Sequence, residues 1–145
     1  MKHTLLLCLL LMSLQACQNQ DEYKSVKQEV LDAHDKIMLD GERAIRNRMK
    51  LDTIDAEMDS LEKINIITDA LAERRQVSRL QSKLDSAEEY MNDWMHSFQV
   101  DLPDKSSEEQ KLYYQAERKK IHHMDSLFNI AIRESEGYLL KFKKK

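Results

Sequence analysis

From Val26 onward the apolar positions of this chain fall three and four residues apart: Val26, Val30, Ala33, Ile37, then Ala44, Leu51, Ile54, Met58 and Leu61. Asp40 and Asn47 occupy two slots that this register reserves for apolar side chains. A period near 3.5 keeps one stripe of a helix against a neighbour, and sustained over five heptads it predicts one long, coiled-coil-like helix over about 23–63. The pattern ends at Asn65, inside the β-branched run of Ile64, Ile66, Ile67 and Thr68. Such residues are poor helix formers, so the first turn is expected there, with Thr68 or Asp69 capping the second helix. A second stripe reads Ile67, Ala70, Val77, Leu80, Leu84, Ala87, Met91, Trp94 and Phe98, with Arg74 alone out of step, and predicts a helix over about 69–98. Gln99–Lys105, which holds Pro103, reads as a loop. Ser106 followed by Glu109 is a capping-box spacing, opening a third helix over about 106–142 through Tyr114, Ile121, Met124, Phe128, Ala131, Ser135 and Tyr138. Short connections make successive helices antiparallel neighbours, so the expected fold is all-α, an elongated antiparallel three-helix bundle. Helices of this length span roughly 45–60 Å, which predicts a rod.

Ahead of these stripes the pattern changes character. Lys2 and His3 form a short basic segment, Leu5–Leu14 is apolar except for Ser13, and the run closes on Leu14-Gln15-Ala16-Cys17. This is the order of a secretory signal: a basic start, an apolar middle and a small residue at the expected cut. Thr4–Ala16 is too short for a transmembrane helix, which needs about 20 apolar residues. A plain secretory cut after Ala16 would leave Cys17 as an unpaired thiol in an oxidising compartment. The segment resembles the lipobox of bacterial lipoproteins, although Gln15 stands where a small residue is more usual. The resemblance implies a removed signal peptide over 1–16, a covalent lipid on Cys17 at the mature N-terminus, and a polar tether over 17–22. The expected location is the cell envelope, on the outer membrane, facing either the periplasm or the outside. The three-helix bundle then occupies 23–145. Cys8 leaves with the signal, so no disulfide, thiolate nucleophile or cysteine metal site is expected in the mature chain.

Composition narrows the class rather than the activity. The chain is 34% charged and 6% aromatic, with two glycines and one proline, which suits long helices and few turns. Loss of Lys2 with the signal takes the formal charge from −3 to −4, so a nucleic-acid binder is not expected. The chain contains no glycine-rich phosphate loop and no nucleophile elbow, and long helices with narrow stripes lack the concave pocket that enzymes usually need. The expectation is a protein that is not an enzyme.

The residues able to carry chemistry are few. With the first turn near Asn65, His34 and His96 fall at matching heights on the first two helices, with Asp35 and Asp93 beside them. Two imidazoles and two carboxylates from facing helices could bind a divalent metal, as sites inside helical bundles do. The same geometry suits histidines at the edge of an apolar seam, each hydrogen-bonded to a carboxylate. His122 and His123 are adjacent and point about 100° apart on a helix, so they cannot share one ligand position. The mature methionines Met38, Met49, Met58, Met91, Met95 and Met124 are scattered along the stripes and read as adaptable packing. Trp94 and Met95 are candidate contact residues for a partner.

Two segments carry a further likeness: Val30-Leu-Asp-Ala-His-Asp-Lys-Ile-Met38, and Ala87-Glu-Glu-Tyr-Met-Asn-Asp-Trp-Met-His-Ser-Phe98. They resemble those of a family of small helical lipoproteins of Bacteroidota, some of whose members carry the label "viral A-type inclusion protein". The matching positions are His34, Asp35 and Met38, then Asp93, Trp94, Met95 and His96. The resemblance implies lineage and location and brings no activity with it. The polar run Gln18–Glu22 resembles the acidic export tags of surface lipoproteins. Together these features lead to the expectation of a membrane-tethered helical rod that contacts an envelope protein, an envelope polymer or a second copy of itself. A metal-binding or metal-sensing role through the His/Asp cluster is the alternative.

Overall fold

In a computed structural model the chain is all-helical, and its helices pack against one another. The structure describes residues 2–143, with side chains described from Glu22 onward. Among the described residues three α-helices run in order, α1 (Lys2–Lys63), α2 (Ala70–Ser97) and α3 (Ser107–Leu139), and a 3-10 turn over Leu140–Phe142 comes after them. α1 starts well before the expected residue 23, and its backbone is helical through the segment read as a tether. No glycine or proline interrupts the sequence between Lys2 and Asp40, so nothing local breaks the hydrogen-bond ladder there. The side chains of the signal segment and of Cys17 lie outside the described set.

Each helix end has a local cause. Asn65 takes the left-handed conformation at φ 58°, the shape that lets a chain leave a helix and that Asn tolerates better than most residues. Around it the Ile66 N–H donates to the Leu61 carbonyl at 2.9 Å and the Asn65 N–H to the Glu62 carbonyl at 3.0 Å. That pair of bonds is a Schellman motif. α2 then opens on Asp69, whose carboxylate accepts the Ala72 N–H at 2.9 Å, while Glu62 reaches across the turn to accept the Ala70 N–H at 3.0 Å. At α3 the capping box forms: the N–H and the hydroxyl of Ser106 both donate to Glu109 Oε2, at 2.9 and 2.7 Å. These two bonds hold the Glu109 carboxyl below the usual carboxylate range.

The described chain divides into two compact units, and α1 and α3 contribute to both. The first comprises α1 up to His34 together with Phe98–His122. Its core is Val26, Leu102 and Tyr114, with Tyr23, Phe98 and Tyr113 packed around them. The loop after α2 is fastened by side chains of α3. Tyr114 donates its hydroxyl to the Val100 carbonyl at 2.7 Å, and Gln110 donates to the carbonyls of Leu102 and Lys105 at 3.2 and 2.9 Å. The Gln99 N–H in turn donates to the Tyr113 hydroxyl at 2.8 Å. Such bonds give a proline-containing loop one conformation where its own backbone offers no ladder.

The second unit comprises Asp35–Ser97 and the chain from His123 onward. Ile37, Ala44, Leu51 and Met58 of α1 are fully buried there, as are Val77, Leu84 and Ala87 of α2 and Met124 and Phe128 of α3. Burial of side chains this size contributes about 1.5–3 kcal/mol for each large one. The two apparent interruptions of the first stripe are buried as well, Asp40 at 7% exposure and Asn47 at 4%. Asn47 donates its amide to the hydroxyl of the fully buried Ser135 at 3.0 Å, and Ser135 donates onward to the Ile132 carbonyl at 2.9 Å. Asp40 accepts from Arg43 at 3.0 Å. Arg74, the residue out of step in the second stripe, donates to the Asp55 carbonyl and to the Asp59 carboxylate, both at 2.9 Å. Arg74 is half-buried, and its guanidinium serves Asp55 and Asp59 of α1.

Candidate functional site: a groove between the later turns of α1 and α3

Within the second unit, the later turns of α1 and α3 and the 3-10 turn enclose an open groove of about 1400 Å³. The wall from α1 carries Arg43, Asn47, Lys50, Ile54, Glu57 and Leu61, three and four residues apart. α3 and the turn supply Ile132, Gly137, Leu139, Leu140 and Phe142. Heptad spacing explains why these residues share a face: the side of α1 that continues the Asp40–Asn47 slots turns toward α3. Ile54 and Leu61, expected as core, are accordingly only half-buried. Ile66, swung back by the Schellman motif toward Leu61, adds to the same surface and is 55% exposed.

The far wall is held by Lys141. Its ammonium stands 3.5 Å from a Glu73 oxygen and 4.6 Å from the centre of the Tyr138 ring, a cation–π distance. Phe142 packs on Tyr138 at 5.4 Å between ring centres. Burial, followed by the nearby Glu73 carboxylate, pushes the Tyr138 hydroxyl well above its ordinary value, so it stays protonated. Gly137 lies on the groove surface in ordinary helical backbone, and a Cβ placed there would meet nothing within 4 Å.

Charge in the groove runs against the charge of the chain. Five basic side chains line it (Arg43, Lys50, Arg133, Lys141 and Lys143) against two acidic ones, Glu57 and Glu136. Arg43 is engaged by Asp40 and Glu136, at 3.0 and 3.2 Å. The whole chain is net negative at −3.

The residues singled out from sequence do not line this groove. His34 is half-buried on α1 in the first unit, whereas Asp35, Asp93 and His96 are exposed in the second. The His96 ring nitrogen Nδ1 lies 2.7 Å from the Asn92 carbonyl one turn back, a bond within its own helix. Among the described residues no group of three or more His, Cys, Asp or Glu side chains is gathered to hold a metal ion. Trp94 is buried at 4% exposure, and its neighbour Met95 is 38% exposed. His123 meets Tyr90 edge-on at 5.2 Å. Of the methionines, Met58, Met91 and Met124 are core, and Met38, Met49 and Met95 are exposed.

The groove itself was not legible from sequence. Among the described residues no helix is long and apolar enough to cross a membrane. No family model, curated protein or solved structure matches the chain.

Proposed function

We propose that this protein is a lipid-anchored, all-helical component of a cell envelope that works by binding another protein, without catalysis. The binding half of the reading rests on the open groove between α1 and α3. The groove is open, and Ile54, Leu61, Ile66, Ile132, Leu140 and Phe142 line it among charged side chains. The location rests on the leader that ends Leu14-Gln15-Ala16-Cys17, with Cys17 as the lipid-bearing residue. The motifs around His34 and Trp94 agree with membership of the small helical lipoproteins of Bacteroidota.

The finer architecture belongs to the same proposal. In the second unit Arg48 pairs with Asp85, Asp52 with Gln81, and Asp55 with Arg74, so each step up α1 is a step down α2. Lys36 pairs with Asp125 and Arg43 with Glu136, so α3 follows the direction of α1. Both progressions support an up-down-up bundle with a coiled-coil-like seam.

Cells fed an alkyne-tagged palmitate test the anchor: the wild-type chain takes up label and fractionates with membranes, and Cys17→Ser does neither. An unlabelled wild-type chain would overturn the anchoring. Crosslinking in intact envelopes tests the binding half, because a chain that recovers no reproducible protein partner is not an interaction protein.

A further inference from the structure

We infer that the occupant of the α1/α3 groove is an acidic amphipathic helix of a partner protein; this rests on the reading of the chain as an interaction protein. Size is the first argument. Small-molecule sites are enclosed and of roughly 300–1,000 Å³, whereas this groove is open and about 1400 Å³. From Arg43 to Leu61 its α1 wall runs for about 27 Å at 1.5 Å per residue, or five helical turns. The α1 wall repeats at three and four residues, the spacing whose ridges accept the ridges of another helix.

Charge selects the kind of helix. Lys50, Arg133 and Lys143 line the groove with no side-chain partner among the described residues, on a chain whose overall charge is negative. Glutamates and aspartates flanking the apolar face of a partner would meet those three cations, and basic flanks would be repelled. Gly137 supplies an independent argument. It stands inside a helix, where glycine is less favourable than alanine, yet its backbone angles are ordinary and no described atom of the chain crowds the missing Cβ. A glycine that no described residue of the chain requires suits the close approach of a second helix at that point.

The test uses the full chain in nanodiscs and two fluorescent 18-residue helical peptides. Both present leucine at heptad a and d positions, one flanked by glutamate and the other by lysine. The glutamate peptide is expected to bind at least tenfold more tightly than the lysine peptide by anisotropy, and more weakly as salt rises. Gly137→Trp, whose Cβ would meet nothing within 4 Å in the free chain, is expected to weaken binding at least tenfold while leaving the helical signal and melting midpoint unchanged. The double change Lys50→Glu with Arg133→Glu is expected to reverse the preference between peptides. Equal binding of both peptides, absence of binding, or binding indifferent to Gly137→Trp overturns the inference. Sedimentation of a dimer that Gly137→Trp dissolves, with no peptide bound, assigns the groove to a second copy and overturns it too. Reproducible envelope crosslinks that persist in Gly137→Trp would leave the interaction reading standing while removing this one.

Discussion

Replacing Ser135 by alanine removes a single oxygen atom, yet the buried pair it forms with Asn47 makes the expected effect large and dependent on background. Asn47 is 4% exposed, and among the described residues its amide has one partner, the Ser135 hydroxyl at 3.0 Å. Ser135 is fully buried, and its own hydrogen goes to the Ile132 carbonyl at 2.9 Å. Ser135→Ala therefore strands a buried N–H donor, at a cost of about 1–3 kcal/mol, with little cavity to add. Asn47→Leu takes away the donor instead, fills a similar volume with apolar atoms, and leaves the Ser135 hydrogen satisfied. That change should be close to neutral, or stabilising, because it exchanges a polar core position for burial of alkyl surface. In the Asn47→Leu background the further change Ser135→Ala should then cost well under 1 kcal/mol, since no donor remains to be stranded. The assay is urea denaturation of residues 18–145 followed by far-UV circular dichroism, for the parent, both single variants and the double. The expected coupling is on the order of 1–2 kcal/mol, beyond the roughly 0.3–0.5 kcal/mol within which independent sites add. Equal losses for Ser135→Ala in both backgrounds would refute the argument. Aligning Asn47 with Ser135 also selects one axial register between α1 and α3. The Asn47→Leu variant should accordingly show broader amide NMR signals in α3 despite its retained stability.

Burial, then the Asp85 carboxylate, raises the Glu88 carboxyl above 4.5, while Arg48 pulls the other way. A raised acid binds its proton more readily in the folded state, so its contribution is intact below the ordinary value and lost as pH rises through the raised one. Glu88→Gln should raise the melting temperature at neutral pH, and the gain should vanish below about pH 4.5; a gain that persists in acid contradicts this. Tyr114→Phe removes the bond to the Val100 carbonyl and should cost about 0.5–1.5 kcal/mol. Protease cuts within the loop after Ser97 should quicken while α2 stays protected, and unchanged cleavage would show that the hydroxyl does not hold the loop. Ser106→Ala should lower amide-exchange protection in the first turn of α3 and leave α2 untouched; uniform loss across the chain would count against a local cap. In zinc titrations of the 18–145 chain, His34→Ala combined with His96→Ala should bind as weakly as the parent. A tight site in the parent that the double variant lacks would establish the metal reading instead.

Much of the fold was legible because its signals are short in range. The apolar slots Val30, Ile37, Ala44, Leu51 and Met58 are all fully buried, and the two connections sit where a β-branched cluster and a proline point to turns. Asn65 and the Ser106–Glu109 box end and start helices through bonds spanning three to five residues. The candidate site was less legible. Pairing His34 with His96 rested on matching heights alone, and height does not say which way a side chain faces. In the structure His96 bonds to Asn92 of its own helix and Trp94 is buried, facts that no spacing in the sequence carries.

From about residue 23 onward the sequence by itself determined which segments are helical, which stripe of each is apolar and how each helix ends, because those choices are settled between residues a turn apart. Only the tertiary structure decided that Asp40 and Asn47 are buried rather than errors in the stripe, since their acceptability depends on polar partners. For Asn47 that partner is Ser135, 88 positions away. It alone decided that Ile54 and Leu61 line an open groove, because a stripe becomes core only where a neighbouring helix comes close enough to cover it. A periodic pattern records that a residue wants cover, and the packing of distant segments determines whether it receives any.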